Sequence, residues 1–218
     1  MSIHVDMTQR VVLDTHAMTW QASPSAGVWR KPLDRDGGEV ARATSVVRYD
    51  SGSAFSAHTH DGGEEILVLD GVFEDEEGRY PAGTYLRNPA GSTHAPGSTD
   101  GCTLFVKLRQ FQTDDTERVR IDTRQTPWRQ GLVAGLSVMP LHQFGHESVA
   151  LVRWQPQTFF QPHAHFGGEE ILVLDGVFED EFGAYPAGTW MRSPHLSRHQ
   201  PFSREGCTIL VKTGHLPA

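Results

Sequence analysis

The chain has 218 residues, of which 38% are hydrophobic, and this is enough apolar material for two folded domains of about 100 residues each. Its net charge of −8 argues against a nucleic acid or an anionic membrane as a partner. No apolar run of about 18 residues and no signal-like N-terminus occurs, so we expect a cytoplasmic protein.

Short strands follow one another along the chain, separated by Gly, Pro, Asp and Asn at intervals of about 8–12 residues. No segment has a long helical period. The predicted strands are ATSVVRY (43–49), EEILVLDGVF (64–73), CTLFVKL (102–108), VALVRW (149–154), EEILVLDGVF (169–178) and CTILVKT (207–213). This pattern predicts an all-β sandwich or barrel.

The second half of the chain repeats the first. Residues 160–212 align without a gap to residues 55–107, and about two-thirds of the positions are identical. Upstream, VRIDTRQTPW (119–128) corresponds to VVLDTHAMTW (11–20). A repeat this long is a duplicated domain and not a solenoid unit. We place the boundary in the polar segment TDDTER (113–118), which predicts domains at 1–116 and 117–218.

Two histidines precede the predicted strand at 64–73, and two glutamates begin it. His58 and His60 would project from one face of an extended strand, and Glu64 shares their parity whereas Glu65 does not. The turn NPAGSTH adds His94, and the second copy repeats all four residues at identical separations. Three imidazoles and one carboxylate form a ligand set for a divalent metal ion. The predicted ligands are His58, His60, Glu64 and His94, and His163, His165, Glu169 and His199.

Surface or core histidines are the alternative interpretation of these residues. Six of the twelve histidines occupy matched positions in both copies, and this favours a metal site for those six. An ordinary surface or core role is expected for the others, which are His4, His16, His142, His146, His195 and His215.

These residues resemble the two cupin motifs. The first reads H-x-H-x3-E-x6-G and ends at Gly71, which also favours Glu64 over Glu65, and the second reads P-x-G-x2-H from Pro89 to His94. The resemblance implies two tandem jelly-roll β-barrels, a bicupin, with a metal inside each barrel. In the second copy Leu196 stands where the motif has glycine, so we expect the turn before His199 to differ.

A longer signature, GGEEILVLDGVFEDE, is followed by YPAGT and by GC before the last strand of each copy, and it resembles the ChrR-type cupin. That domain is the C-terminal part of a group of zinc-dependent anti-sigma factors. Their helical N-terminal domain, with its H-x3-C-x2-C pattern, is not found in this sequence. We therefore expect that the chain does not sequester a sigma factor by itself.

Two functions are consistent with this resemblance. The first is a metal-bound module that binds or senses a small molecule or a redox signal. The alternative is an Fe(II)-dependent dioxygenase that cleaves carbon–carbon bonds of diketones or aromatic ketones. Four protein ligands complete a tetrahedral zinc shell, whereas octahedral Fe, Mn or Ni keeps two open positions. We expect two divalent ions per chain, zinc first among these metals, and a small-molecule ligand. Assembly into a homo-oligomer is left open.

The remaining candidates have simpler interpretations. Cys102 and Cys207 occupy equivalent positions and are expected to be small buried residues, although a thiol near a metal could also sense redox state. The acidic segments FEDEEG (73–78) and FEDEFG (178–183) are expected to be solvated hairpins.

Overall fold

All regular secondary structure is β-strand in residues 2–217, the part of the chain that the computed structural model describes. This confirms the all-β prediction. That part of the chain also has no helix of the length and apolarity that a membrane span requires. Two compact units are present: one consists of residues 2–5 and 18–126, and the other of residues 6–17 and 127–217.

The first unit is built from twelve strands. They are β2 (Gln21–Ala22), β3 (Val28–Gly37), β4 (Ala41–Tyr49), β5 (Ser53–Ala54), β6 (His58–His60), β7 (Glu64–Asp75), β8 (Gly78–Pro81), β9 (Thr84–Asn88), β10 (Ser92–His94), β11 (Gly97–Ser98), β12 (Cys102–Leu108) and β13 (Val119–Asp122). The main sheet runs β13-β9-β7-β12-β4-β3-β2, and β6 pairs with β10 beside it.

The second unit repeats this arrangement. Its strands are β1 (Val11–Asp14), β14 (Arg129–Gln130), β15 (Leu136–Phe144), β16 (Glu147–Trp154), β17 (Thr158–Phe159), β18 (His163–His165), β19 (Glu169–Asp180), β20 (Gly183–Pro186), β21 (Thr189–Ser193), β22 (Ser197–His199), β23 (Phe202–Ser203) and β24 (Cys207–Thr213). The main sheet runs β1-β21-β19-β24-β16-β15-β14, and β18 pairs with β22. These strands pair antiparallel in both units.

Each unit takes its first edge strand from the other half of the sequence. In the second unit β1 pairs with β21, with Val11 opposite Arg192. In the first unit β13 pairs with β9 in the equivalent register, with Val119 opposite Arg87. The predicted boundary at 116/117 describes the sequence repeat and stays a prediction, because the compact units are not continuous segments.

Each unit has its own apolar core. It is formed by every second side chain along the strands, the ones that point inward. In the first unit Ile66 and Val68 of β7 pack against Leu104 and Val106 of β12. In the second unit Ile171 and Val173 of β19 occupy the same places. Full burial of one such aliphatic side chain contributes roughly 1.5–3 kcal/mol, so these faces stabilise β7 and β19, the strands that begin at Glu64 and Glu169.

Cys102 and Cys207 are buried and free, as the sequence predicts. Burial raises the pKa of Cys102 to about 11 and that of Cys207 to about 12. A thiol of this kind is protonated at neutral pH and therefore a poor nucleophile.

Candidate metal centres

Three histidines converge in the first unit. The short strands β6 and β10 pair antiparallel with His58 opposite His94, and His60 follows on the same face of β6. The ring centroids of the three imidazoles lie 4.8–5.3 Å apart. Nε2 of His60 is 2.8 Å from Nε2 of His94. The strand geometry therefore brings these three predicted ligands together at one point.

Glu64 completes the group at the start of β7. Its Oε2 lies 3.3 Å from Nε2 of His60 and 3.4 Å from Nε2 of His94. The same oxygen accepts a hydrogen bond of 3.0 Å from Nδ2 of Asn88. Glu65, the neighbour with the other parity, instead accepts a hydrogen bond from Arg87 at 2.9 Å. The structure thus places Glu64, and not Glu65, at the cluster.

The protonation of this cluster suits a cation. Burial, with a smaller effect of His58, lowers the pKa of His60 to about 4, and burial also lowers the pKa of His94. Burial raises the pKa of Glu64. The imidazoles of His60 and His94 are therefore neutral at physiological pH, as metal ligands must be. The carboxylate is costly to ionise there unless a positive charge is added.

The second unit brings together the equivalent residues. His163 on β18 is opposite His199 on β22, and Nε2 of His165 is 2.9 Å from Nε2 of His199. The ring centroids lie 4.6–5.0 Å apart. The carboxylate of Glu169 is 3.5 Å from Nε2 of His165 and 3.6 Å from Nε2 of His199. The geometry of the two clusters is nearly the same.

In the second cluster the pKa values of His165 and Glu169 shift in the same directions as those of their counterparts in the first, whereas that of His199 does not. Burial lowers the pKa of His165 to about 3 and also lowers that of His163, while burial raises the pKa of Glu169 to about 7. For His199 burial lowers the pKa, but the nearby carboxylates of Asp180 and Glu169 outweigh it, and the net direction is upward.

Three donor atoms in each cluster are spaced as ligands of one divalent metal ion would be. Two donor atoms bound to one ion at about 2.0–2.1 Å are separated by about 2.9–3.4 Å, and the separations of 2.8–3.6 Å among His60, His94, Glu64 and their counterparts match this range closely. Nδ1 of His58 donates to the Ser56 carbonyl at 2.9 Å, and Nδ1 of His163 donates to the Gln161 carbonyl at 3.0 Å. These bonds leave Nε2 of both rings as the donor for an ion.

Two aspartates behind the clusters are absent from the sequence prediction. Oδ2 of Asp75 lies 3.4 Å from Nδ1 of His94, and Oδ2 of Asp180 lies 3.7 Å from Nδ1 of His199. Both aspartate side chains are 1% exposed. The prediction that FEDEEG and FEDEFG are wholly solvated hairpins is therefore wrong for these residues. Strand parity was the missed signal, because Asp75 lies two residues after the buried Phe73.

The turn before the last histidine keeps one conformation in both units, although the sequence predicts a difference. Gly91 has φ of 86° and Leu196 has φ of 60°, both in the left-handed region. The amide of Gly91 donates to the His60 carbonyl at 2.7 Å, and the amide of Leu196 donates to the His165 carbonyl at 2.8 Å. The expected difference is wrong because these hydrogen bonds hold the turn against the strain of a left-handed leucine.

His195, the extra histidine of this turn, has a structural contact. Its Nδ1 accepts a hydrogen bond of 2.9 Å from the amide of Gly167, and its ring packs against Phe166. This agrees with the ordinary role expected for it.

A cavity of about 510 Å³ lies in the first barrel beside the cluster. His58, His60 and Glu64 line it together with core side chains of β4, β7 and β12. The volume falls within the range of about 300–1,000 Å³ that small-molecule sites occupy. A ligand in this cavity would therefore sit next to the candidate metal centre.

The model of the ChrR cupin-like domain family matches the chain twice, over residues 8–112 and 116–217. No curated protein matches the chain. A solved structure of similar fold is a candidate dioxygenase from Nostoc punctiforme, with 15% identity and a TM-score of 0.80 over 94% of this chain and 82% of that chain. YlbA from Escherichia coli has 14% identity and a TM-score of 0.73 over 100% of this chain and 95% of that chain. The E. coli pirin YhhW in complex with nickel(II) has 14% identity and a TM-score of 0.66 over 96% of this chain and 99% of that chain. At these identities the likeness shows the fold alone.

Proposed function

Because the chain belongs to the ChrR cupin-like family and carries that domain twice, we propose that it is a metal-binding bicupin with one divalent ion in each unit. The observation that carries this proposal is that the buried carboxylates of Glu64 and Glu169 lie beside His60 and His165 respectively, two imidazoles that burial keeps neutral. A divalent cation would balance the carboxylate charge and satisfy the converging nitrogen atoms.

His58, His60, Glu64 and His94 would hold the ion of the first unit. His163, His165, Glu169 and His199 would hold the ion of the second unit. An ion bound there supplies a Lewis acid that polarises an oxygen atom of a ligand. Asp75 and Asp180 would fix the orientation of His94 and His199 from behind, as carboxylates commonly do for metal-bound imidazoles.

Three nitrogen donors and one oxygen donor suit several divalent metals. Zinc would be satisfied by the four protein ligands, whereas Fe, Mn or Ni would take further ligands from a small molecule or water. The nickel(II) complex of the pirin YhhW, a barrel of similar fold, supports a divalent metal in this chain but does not choose among metals.

The cavity in the first barrel supports a module that binds a small molecule next to the metal. Its wall is mostly apolar, and the candidate ligands His58, His60 and Glu64 stand on one side of it. We therefore propose small-molecule binding or sensing as the function, with the metal as the point of recognition.

A dioxygenase acting on diketones or aromatic ketones is the second candidate. The fold likeness to a candidate dioxygenase and the cavity beside His58 favour it. If it is right, oxygen uptake by Fe(II)-loaded protein should rise on addition of such a ketone and fall in Glu64→Ala. Uptake equal to that of metal-free protein across a panel of these ketones would remove this candidate for that substrate class.

Elemental analysis tests the main proposal. Protein purified without added metal or chelator should contain about two divalent ions per chain. Folded protein with well under one ion per chain, and with no uptake on dialysis against zinc, would contradict it.

A further inference from the structure

The two barrels differ around the cavity of the first. Most apolar lining residues have the same or a similar counterpart, for example Phe55 and Phe160. Among the polar lining residues, the candidate metal ligands keep identical counterparts. Others do not: Tyr49 is replaced by Trp154, Arg30 by Val138, Asp61 by Phe166 and Arg109 by Gly214. The divergence is therefore concentrated in the side chains that would recognise the polar part of a ligand.

A longer hairpin adds another difference. Between β3 and β4 the chain spans residues 37–41 from Asp36 to Arg42, whereas the equivalent connection from Phe144 to Glu147 spans only residues 145–146. Glu39 and Val40, at the tip of the longer hairpin, line the cavity. Nη2 of Arg35 donates to the Glu39 carbonyl at 3.1 Å and holds the tip in place. The second copy has no counterpart of these residues.

Arg30 presents a cation that a ligand could use. Its Nη1 lies 3.1 Å from Oε2 of Glu39, and the side chains are 25% and 65% exposed respectively. An ion pair with one partner so exposed to water contributes little stability. A carboxylate entering the cavity can therefore replace Glu39 and form charge-assisted hydrogen bonds to the guanidinium.

Tyr49 is the second polar group of the cavity. The residue is only 6% exposed, and its hydroxyl makes no hydrogen bond to any residue in the described range 2–217. Burial and the charge of Glu64 raise the pKa of this phenol, and Arg30 opposes them, so both charged groups act on it. A hydroxyl in the wall of the cavity can donate a hydrogen bond to an oxygen atom of a ligand.

We propose that the first barrel selectively binds a small organic anion with an apolar body. Its carboxylate contacts Arg30, its carbonyl oxygen accepts a hydrogen bond from Tyr49, and its apolar part packs on the core side chains of β4, β7 and β12. Only the approach of its carbonyl to the metal rests on the proposed function. A 2-oxo acid with an aromatic or aliphatic side chain has this chemistry.

The second barrel lacks these groups. Val138 and Trp154 occupy the places of Arg30 and Tyr49, and the indole nitrogen of Trp154 is buried without a hydrogen-bond partner in the described chain. A pocket that reaches Glu169 and His199 there contains Arg10, but it measures only about 200 Å³, and Arg10 is paired with Asp180 at 3.0 Å. This volume is below the range of about 300–1,000 Å³ that is usual for ligand sites.

Calorimetric titration of the full, zinc-treated chain with 3-phenyl-2-oxopropanoate tests the inference. We expect one molecule bound per chain. Arg30→Gln should weaken binding by about 10- to 100-fold, the effect of losing a hydrogen bond to a charged group. Tyr49→Phe should weaken it by about 2- to 10-fold, as expected for a neutral hydrogen bond. Arg79→Gln is the matched control, because this arginine pairs with Glu74 and Asp100 and does not line the cavity.

The neutral probe 4-phenylbutan-2-one should bind at least about tenfold more weakly than the anion, because it cannot pair with Arg30. Binding of two anions per chain, no detectable binding, or equal affinity of wild type and Arg30→Gln with unchanged melting curves would overturn the inference. Metal content is measured in the same samples. Arg30-dependent binding by protein that takes up no metal would support this inference while contradicting the proposed function.

Discussion

Asp75 shows how a single buried carboxylate contributes to the proposed site. It contacts the side of His94 that faces away from the cluster and accepts a hydrogen bond of 2.9 Å from the hydroxyl of Tyr80. Asp180 has the same relation to His199 and Tyr185, and it also pairs with Arg10. An aspartate held in this way keeps the proton of the imidazole on Nδ1 and leaves Nε2 free for an ion.

Asp75→Asn should therefore weaken metal binding by the first unit by about 10- to 100-fold, the usual effect of removing such a carboxylate. Competition with a chromogenic chelator measures this change. Asp70→Asn, the same change at an exposed position of β7, is the control and should leave the affinity unchanged. Equal affinity of Asp75→Asn and wild type would show that His94 does not depend on this contact.

Opposing titrations give the metal-free protein a distinctive response to pH. The folded pKa values of His60 and His165, about 4 and about 3, lie below the ordinary value of 6.5, so the unfolded state takes up these protons first and falling pH destabilises the fold. Glu169 has a folded pKa of about 7 against 4.5, so its contribution is present at low pH and is lost as pH rises towards 7.

A bound ion should change this balance, because it holds the glutamate ionised and the histidines neutral. We therefore expect the melting temperature of zinc-loaded protein to exceed that of metal-free protein by the largest margin near pH 8. The margin should shrink as pH falls to about 5, where protons compete with the ion. Melting curves of both forms across this range test the expectation, and a margin independent of pH would contradict it.

Strand parity predicted which of the candidate ligands would lie close together. His58, His60 and Glu64 share one face by alternation, and the structure brings them together. His94 required the repeat and the family motif, because strand pairing between β6 and β10 is not visible in local pattern. Asp75 was missed because acidic residues in a hairpin are usually solvated, and only its spacing from Phe73 indicated burial.

At the scale of elements, the turn between β21 and β22 carries avoidable strain. Leu196 is 58% exposed and holds a left-handed φ of 60°, a conformation that favours glycine. Its counterpart Gly91 has φ of 86°, and a Cβ added there would meet no atom within 4 Å. The two positions therefore differ in backbone strain and not in packing.

Leu196→Gly should raise the free energy of unfolding by about 0.5–1 kcal/mol, because relief of strain exceeds the entropy cost of glycine. Gly91→Leu should lower it by about 1–2 kcal/mol. Denaturant unfolding of both variants measures the pair. If Leu196→Gly is destabilising, the leucine side chain must contribute packing that outweighs its backbone conformation.

The longer strands of each sheet could be predicted from alternating apolar residues, and β4, β7 and β12 lie where the pattern placed them. The pairing of β1 with β21, and of β13 with β9, could not be predicted in this way. Both strands have only four residues, and their choice of partner is a long-range event that depends on the path of the whole chain. Local patterning specifies strands better than it specifies partners.

At the scale of the whole molecule, the duplicated sequence produces two similar ligand clusters and two different interiors. The clusters consist of equivalent residues, from His58 and His163 to His94 and His199. The first interior contains the cavity with Arg30 and Tyr49, and these residues have changed in the second copy. We therefore propose two metal centres in one chain that serve unequal purposes.

Metal stoichiometry of histidine variants tests the central claim most directly. His60→Ala and His165→Ala each remove one ligand, from the first and the second cluster respectively. Wild type loaded with zinc and freed of excess ion should contain about two ions per chain, each single variant about one, and the double variant close to none. The same zinc content in wild type and both single variants, with all proteins folded, would contradict the account.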